Sequence, residues 1–174
     1  KRVRTETRIA EGTVSISSVA VELAQKIFGE LRGRRALLLG AGQMGETAAR
    51  SLSATGARLV VINRSREKAD ALAQACGGEA RDYEALISEL VQADVVVSST
   101  SSTGFVLTRE LMREVCRSRR HRPLFLIDIA VPRDVDPRWE RPTLNAEQLD
   151  GLARDLDQIR ADVRADMGEK DARY

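Results

Sequence analysis

Three glycines, Gly40, Gly42 and Gly45, stand in the spacing G-x-G-x-x-G directly after four apolar residues, Ala36, Leu37, Leu38 and Leu39. No other stretch constrains the fold as strongly. An apolar run without polar alternation is what a strand covered on both faces requires, and such strands belong to parallel sheets with helices on either side. Behind the glycines, Met44, Ala48 and Leu52 recur at four-residue spacing with Ala49 beside them, the period of a helix with one buried face. Gly56 ends that helix, and Leu59, Val60, Val61 and Ile62 form a second apolar strand. The glycine spacing alone is a weak signal. Set between a strand and a helix inside a βαβ unit, it predicts an α/β fold with a doubly wound, mostly parallel sheet.

Each glycine has its own task in such a unit. Gly40 permits the tight turn out of the strand, Gly42 leaves the backbone bare to an approaching pyrophosphate, and Gly45 lets the helix pack close to the sheet. The free N–H groups of the first helical turn face the anion, and the helix dipole favours it. This Rossmann-like reading places cofactor contacts at Gly40, Ala41, Gly42, Gln43, Met44 and Gly45. The end of the second strand selects the cofactor. An Asp or Glu about 20 residues past the glycines marks NAD, by holding the ribose 2′-hydroxyl. This chain has Asn63 there, followed by Arg64, Ser65 and Arg66, with Lys68 one turn on. No carboxylate repels a 2′-phosphate, Arg64 can pair with one, and Ser65 can cap the next helix and turn its N–H groups to the same anion. Asn63, Arg64, Ser65 and Lys68 therefore predict NADPH rather than NADH.

The remaining sequence fits around this unit. Ile16, Val19, Ala20, Leu23, Ala24 and Ile27 make a helical stripe ahead of the first strand, an extra element that needs the sheet or another domain to cover. Ala69, Leu72 and Ala73 line the inner side of the helix after Ser65. Residues 79–81 are enough for a third, edge strand, and 83–90 for a short helix. Val95, Val96 and Val97 carry a fourth strand that ends in Ser98, Ser99, Thr100, Ser101 and Ser102. Ligands bind at the carboxyl ends of the strands near the switch point between the first and fourth, so this loop is expected to line the crevice, with Ser99, Thr100 and Ser101 as contacts. Thr108 caps a helix with Leu111, Met112 and Val115 inside. Residues 124–132 hold the fifth strand and its exit, where Asp128 is either a catalytic acid or, the favoured reading, a structural carboxylate accepting backbone N–H groups. Prolines 132, 137 and 142 mark a loop, and 143–145 a short sixth strand. Over 146–167 the apolar residues Leu149, Leu152, Leu156, Ile159 and Val163 are spaced three, four, three, four. That is a seam made to meet another helix.

Composition excludes several classes. The 28 basic and 26 acidic residues leave a net charge of +2, too near balance for a dedicated nucleic-acid domain. The basic start, with Lys1, Arg2, Arg4 and Arg8, reads as a solvated face. Cys76 and Cys116 have no metal or redox spacing, and His121, the single histidine, falls at the strand end away from the crevice. No metal site and no catalytic residue are expected. No apolar run is long enough to span a bilayer, and a cytoplasmic location is expected. The chain divides into 1–33, a linker and helix leading in, 34–145, the NADP-binding domain, and 146–174, a connecting helix.

Taken together, Lys1-Arg-Val-Arg-Thr-Glu-Thr7, Val14-Ser-Ile-Ser-Ser-Val-Ala-Val-Glu-Leu-Ala24, Gly40-Ala-Gly-Gln-Met-Gly45, Asn63-Arg64, Ser98-Ser-Thr100 and Leu126-Ile-Asp-Ile-Ala-Val-Pro-Arg-Asp134 resemble glutamyl-tRNA reductase. The resemblance implies the enzyme that makes glutamate-1-semialdehyde for tetrapyrrole synthesis. In that family a cysteine of an N-terminal domain attacks the aminoacyl ester of charged tRNA, and NADPH reduces the thioester. It also implies charged glutamyl-tRNA as substrate, a homodimer built on a third domain, and glutamate-1-semialdehyde aminotransferase as a partner. The chain departs from the family pattern in three respects. Neither cysteine matches the catalytic motif, the loop over 133–144 looks shortened, and the dimerisation domain is missing beyond the start of the connecting helix. A lone NADPH-binding domain of this kind is expected to bind cofactor without completing the reaction. Two other readings remain: an NADP-dependent oxidoreductase of the shikimate dehydrogenase class, which shares Asn-Arg-Ser after the second strand, and a non-catalytic nucleotide-binding module acting through the Leu149 to Val163 seam.

Overall fold

A computed structural model describes residues 16–120 and 122–139. The basic start, His121, the sixth-strand segment, and the helix over 146–167 with its seam lie outside the described residues. Five parallel strands form the sheet: β1 (Arg35–Leu39), β2 (Arg58–Ile62), β3 (Glu79–Arg81), β4 (Val95–Ser98) and β5 (Phe125–Asp128), in the order β3-β2-β1-β4-β5. The helices are α1 (Ile16–Phe28), α2 (Gln43–Ala54), α3 (Arg66–Cys76), α4 (Leu86–Gln92, entered through a 3-10 turn at Tyr83–Ala85) and α5 (Arg109–Ser118).

The register explains the unbroken apolar runs. Leu37 lies between Val60 of β2 and Val96 of β4. Because successive side chains alternate faces, Leu38, Val61 and Val97 share one core with Val21, Ala49, Leu52 and Leu72 of α1, α2 and α3. Leu37, Val60 and Val96 share the other with Leu90, Met112 and Val115 of α4 and α5. The chain runs outward from β1 to β3, then returns to place β4 on the far side of β1. The crevice expected at this reversal therefore opens between the carboxyl ends of β1 and β4.

Two helix faces differ from the pattern in the sequence. In α1 the buried residues are Ser17, Ala20, Val21 and Ala24, while Leu23 is half-buried and Ile27 is 44% exposed. Small side chains are the ones turned inward, and Ser17 Oγ donates to the Met44 carbonyl at 3.0 Å. Close approach to α2 selects small residues over large ones. In α2 the inner positions are Gly45, Ala48, Ala49 and Leu52, and Met44 is 38% exposed. Gly45 occupies the inner position because no larger residue fits there.

Candidate dinucleotide site

The glycine loop is built by contacts that separate its three glycines. Gly40 has φ +99°, a conformation L side chains rarely adopt. A Cβ there would also lie 2.7 Å from the Ser99 carbonyl oxygen and 3.0 Å from the Thr100 nitrogen. A Cβ on Gly45 would overlap the Gly40 carbonyl oxygen and come within 2.8 Å of Ser99 Oγ. Both glycines are demanded by the protein's own packing. Gly42 is not: a Cβ there meets nothing within 4 Å. Gly42 caps α2 in an extended conformation, with no side chain bonded to the N–H groups of the first turn. Those N–H groups lack intrahelical partners, so the loop presents a bare, positively polarised turn that suits a pyrophosphate.

The end of β2 is tied to this loop through Asn63. Its Oδ1 accepts from the Ala41 N–H at 3.3 Å and its Nδ2 donates to the Ser65 carbonyl at 3.0 Å. Ser65 caps α3, its Oγ accepting from the Lys68 N–H at 3.3 Å. Arg64 is exposed and makes no hydrogen bond or ion pair among the described residues, and Lys68 is exposed beside it. Arg66, the other cation of this turn, is taken up by Asp70 at 2.9 Å and Asp82 at 2.7 Å. These contacts also raise the Arg66 pKa, with the Asp82 hydrogen bond the larger cause. Arg64 is therefore the guanidinium free for an anion.

Across the cleft lies the loop after β4. Asn63, Arg64 and Tyr83 line it from the β2 and β3 side, and Thr100, Ser101 and Ser102 from the β4 side. Ser98 does not line it. It is fully buried, and its Oγ donates to Asp134 Oδ2 at 2.6 Å. Ser99 turns its hydroxyl under the glycine loop to the Leu39 carbonyl at 3.3 Å. The Thr100 hydroxyl donates to Asp134 Oδ1, and the Thr100 N–H to Asp134 Oδ2 at 2.9 Å. Gln43 and Ser101 are exposed.

Two contributors escaped the sequence pattern, Tyr83 and Asp134. Tyr83 sits just past the short edge strand, where no periodicity marks it. Asp134 has its partners more than thirty residues away, so no local spacing marks it. Asp128 is the structural carboxylate of the two readings: Oδ1 accepts from the Ala130 N–H at 3.1 Å, and Oδ2 from the Asp134 and Val135 N–H groups at 3.0 Å each. Nearby, the Arg138 guanidinium and backbone N–H on Asp136 hold that carboxyl down at about 2. Among the described residues no group of three or more His, Cys, Asp or Glu gathers to hold a metal, and both cysteines are free thiols. No helix among them is long and apolar enough to cross a membrane.

Residues 22–154 match the sequence model of the shikimate/quinate 5-dehydrogenase family. The chain belongs to that family. Family members are oxidoreductases with a Rossmann-type domain for a nicotinamide dinucleotide, which agrees with the glycine loop and the sheet order. The chain is 55% identical over 137 residues to a glutamyl-tRNA reductase of Sorangium cellulosum, covering 79% of this chain and 26% of that protein. It is 45% identical over 172 residues to the Bacillus subtilis glutamyl-tRNA reductase, covering 98% of this chain and 36% of that one. The structure superposes on glutamyl-tRNA reductase from Methanopyrus kandleri with a TM-score of 0.68 at 40% identity, over 94% of this chain and 43% of that one. The nucleotide-binding domain of glutamyl-tRNA reductase from Thermoplasma volcanium shares the fold, with a TM-score of 0.60 at 21% identity over 86% of this chain and 99% of that one. These matches bear out both the resemblance read from the motifs and the fold class. The chain spans 26–40% of the length of the curated relatives it matches.

Proposed function

We propose that this chain is the NADPH-binding domain of a glutamyl-tRNA reductase, the enzyme that reduces charged glutamyl-tRNA to glutamate-1-semialdehyde. The observation that carries the cofactor choice is Arg64: an exposed guanidinium without a partner among the described residues, at the end of β2, with no carboxylate in its place. Arg64 and Lys68, with the capped start of α3 at Ser65, hold the 2′-phosphate. The bare first turn of α2, from Gly42 through Gln43, Met44 and Gly45, holds the pyrophosphate next to Gly40 and Ala41. Asn63 keeps these two anion sites in register. Ser99, Thr100 and Ser101 form the wall on the β4 side, and the two hydroxyls already engaged there leave backbone and Ser101 to meet the ligand.

When bound, NADPH supplies the hydride. The chain's own residues orient the dinucleotide and exclude water from one side of it. None of them is assigned a catalytic role, because the resemblance gives the attacking cysteine to a separate catalytic domain. Charged tRNA, the homodimer and a glutamate-1-semialdehyde aminotransferase partner belong to the whole enzyme, which this reading places in the cytoplasm. The family match favours a second reading, an NADP-dependent reductase of small carbonyl acids. NADPH and NADH titrations followed by fluorescence test the cofactor assignment: NADPH is expected to bind more tightly, and equal affinities would refute it. Turnover of 3-dehydroshikimate with NADPH by the chain alone would favour the second reading over the first.

A further inference from the structure

We infer that Asp134 is a positioning residue for the dinucleotide: from one buried side chain and its own backbone it clamps both ends of the loop that walls the cleft opposite Asn63 and Arg64. The inference rests on the cofactor reading above. Asp134 is fully buried. Its carboxylate takes three donors from the near end of the loop: the Ser98 hydroxyl at 2.6 Å, the Thr100 N–H at 2.9 Å and the Thr100 hydroxyl. A carboxylate accepts without donating, so all three donors are fixed in direction, and bonds to a charged acceptor are the stronger kind. The Thr100 hydroxyl, its proton committed to Asp134, accepts in turn from the Ser102 N–H at 3.1 Å. At the far end of the loop the Asp134 carbonyl accepts from the Val106 and Leu107 N–H groups at 2.8 and 3.0 Å.

The clamp reaches the glycine turn through one peptide. Ser99 donates its N–H to the Leu39 carbonyl at 2.8 Å, and the Ser99–Thr100 peptide so fixed is the one that leaves no room for a Cβ at Gly40. Asp134 is itself held from behind, since Asp128 accepts the Asp134 and Val135 N–H groups. Two carboxylates in series thus run from the exit of β5 to the wall of the crevice. The loop after β4 faces Arg64 across one cleft, with Thr100, Ser101 and Ser102 on one side and Asn63 and Arg64 on the other, so the clamp fixes the wall against which the dinucleotide is held.

The test uses the 174-residue chain, with NADPH binding followed by fluorescence. Asp134→Asn removes the negative charge that the three donors share. Thr100→Val removes the hydroxyl at constant shape, and Thr100→Ser restores it. The expected result is about tenfold weaker NADPH binding for Asp134→Asn and Thr100→Val, the scale of one lost hydrogen bond to a charged group. Thr100→Ser recovers most of that loss. If Asp134→Asn does not fold, the Thr100 pair gives the answer alone. Undiminished NADPH binding by Thr100→Val, or no recovery of the lost affinity by Thr100→Ser, overturns the inference while leaving the cofactor reading intact. Failure of the unaltered chain to bind NADPH overturns both.

Discussion

At the residue scale, the middle glycine carries a different kind of constraint from its neighbours. Gly40 and Gly45 are fixed by contacts inside the protein, and Gly42 faces open space. Gly42→Val is therefore expected to fold with an unchanged thermal midpoint and to lose NADPH binding, because its branched side chain keeps the pyrophosphate off the bare backbone. Retained NADPH affinity would move the cofactor elsewhere. Gly45→Ala is expected to behave in the opposite way. It must push the helix off the Gly40 carbonyl, and overpacking of this kind costs about 1–3 kcal/mol in stability, read from denaturant melts. Arg64→Ala is expected to weaken NADPH by roughly 1.5–3 kcal/mol, the scale of hydrogen bonds to charged groups, and to leave NADH nearly unchanged. Equal losses for the two cofactors would mean that Arg64 touches their common part. Asp136 adds a pH signature. Arg138 lowers its folded pKa from the ordinary carboxylate range to about 2. A depressed carboxyl stabilises the fold above its unfolded pKa, and the contribution is lost as pH falls from about 4 toward 2. Melts of Asp136→Asn against the parent should converge across that window as the parent loses its advantage. A constant gap from pH 5 to pH 2 would show that the Arg138 contact is not the cause.

At the element scale, the strands and the glycine turn were legible because their signals are local. Four apolar residues, a turn and a period of 3.6 all fall within one short window, and the register of β1 between β2 and β4 matches it residue for residue. The caps were legible for the same reason. Ser65 and Thr108 each accept from the N–H three residues on, as their position before an apolar-periodic run suggests. Thr108→Ala is expected to cost about 1 kcal/mol by loss of that cap, with cofactor affinity unchanged, as measured by denaturant melts and titration. The inner face of α1 was not legible. Periodicity ranks Leu23 and Ile27 inside because they are apolar, whereas the distance between α1 and α2 admits Ser17, Ala20 and Ala24. Size complementarity between two helices is a tertiary fact, and one sequence window does not contain it. The Asp134 clamp escaped for a related reason. A carboxylate that closes bonds across thirty-four and thirty-six residues has no spacing to recognise it by.

At the scale of the whole molecule, the proposed cofactor binding would be linked to folding in one equilibrium. The pyrophosphate cradle, the Arg64 turn and the β4 loop come together only in the folded sheet, at the reversal between β1 and β4. A ligand that binds the native state alone stabilises it by about 2.7 kcal/mol at one hundred times its Kd. For a chain of this size that raises the melting midpoint by roughly 5–10 °C. NADH at the same concentration is expected to raise it less, since it lacks the 2′-phosphate proposed to meet Arg64. The difference should also be salt-dependent. Arg64 is exposed, and the screening length shrinks from about 10 Å at 0.1 M salt to about 3 Å at 1 M. The N–H groups of the α2 turn carry partial charges and depend on short contact, so their share is screened less. Melts in NADPH and in NADH at low and high salt therefore separate the two anion sites: the NADPH advantage should shrink at 1 M while the NADH shift largely persists. An NADPH advantage that holds unchanged at 1 M salt would mean that shape around the adenosine, and not the Arg64 charge, makes the choice.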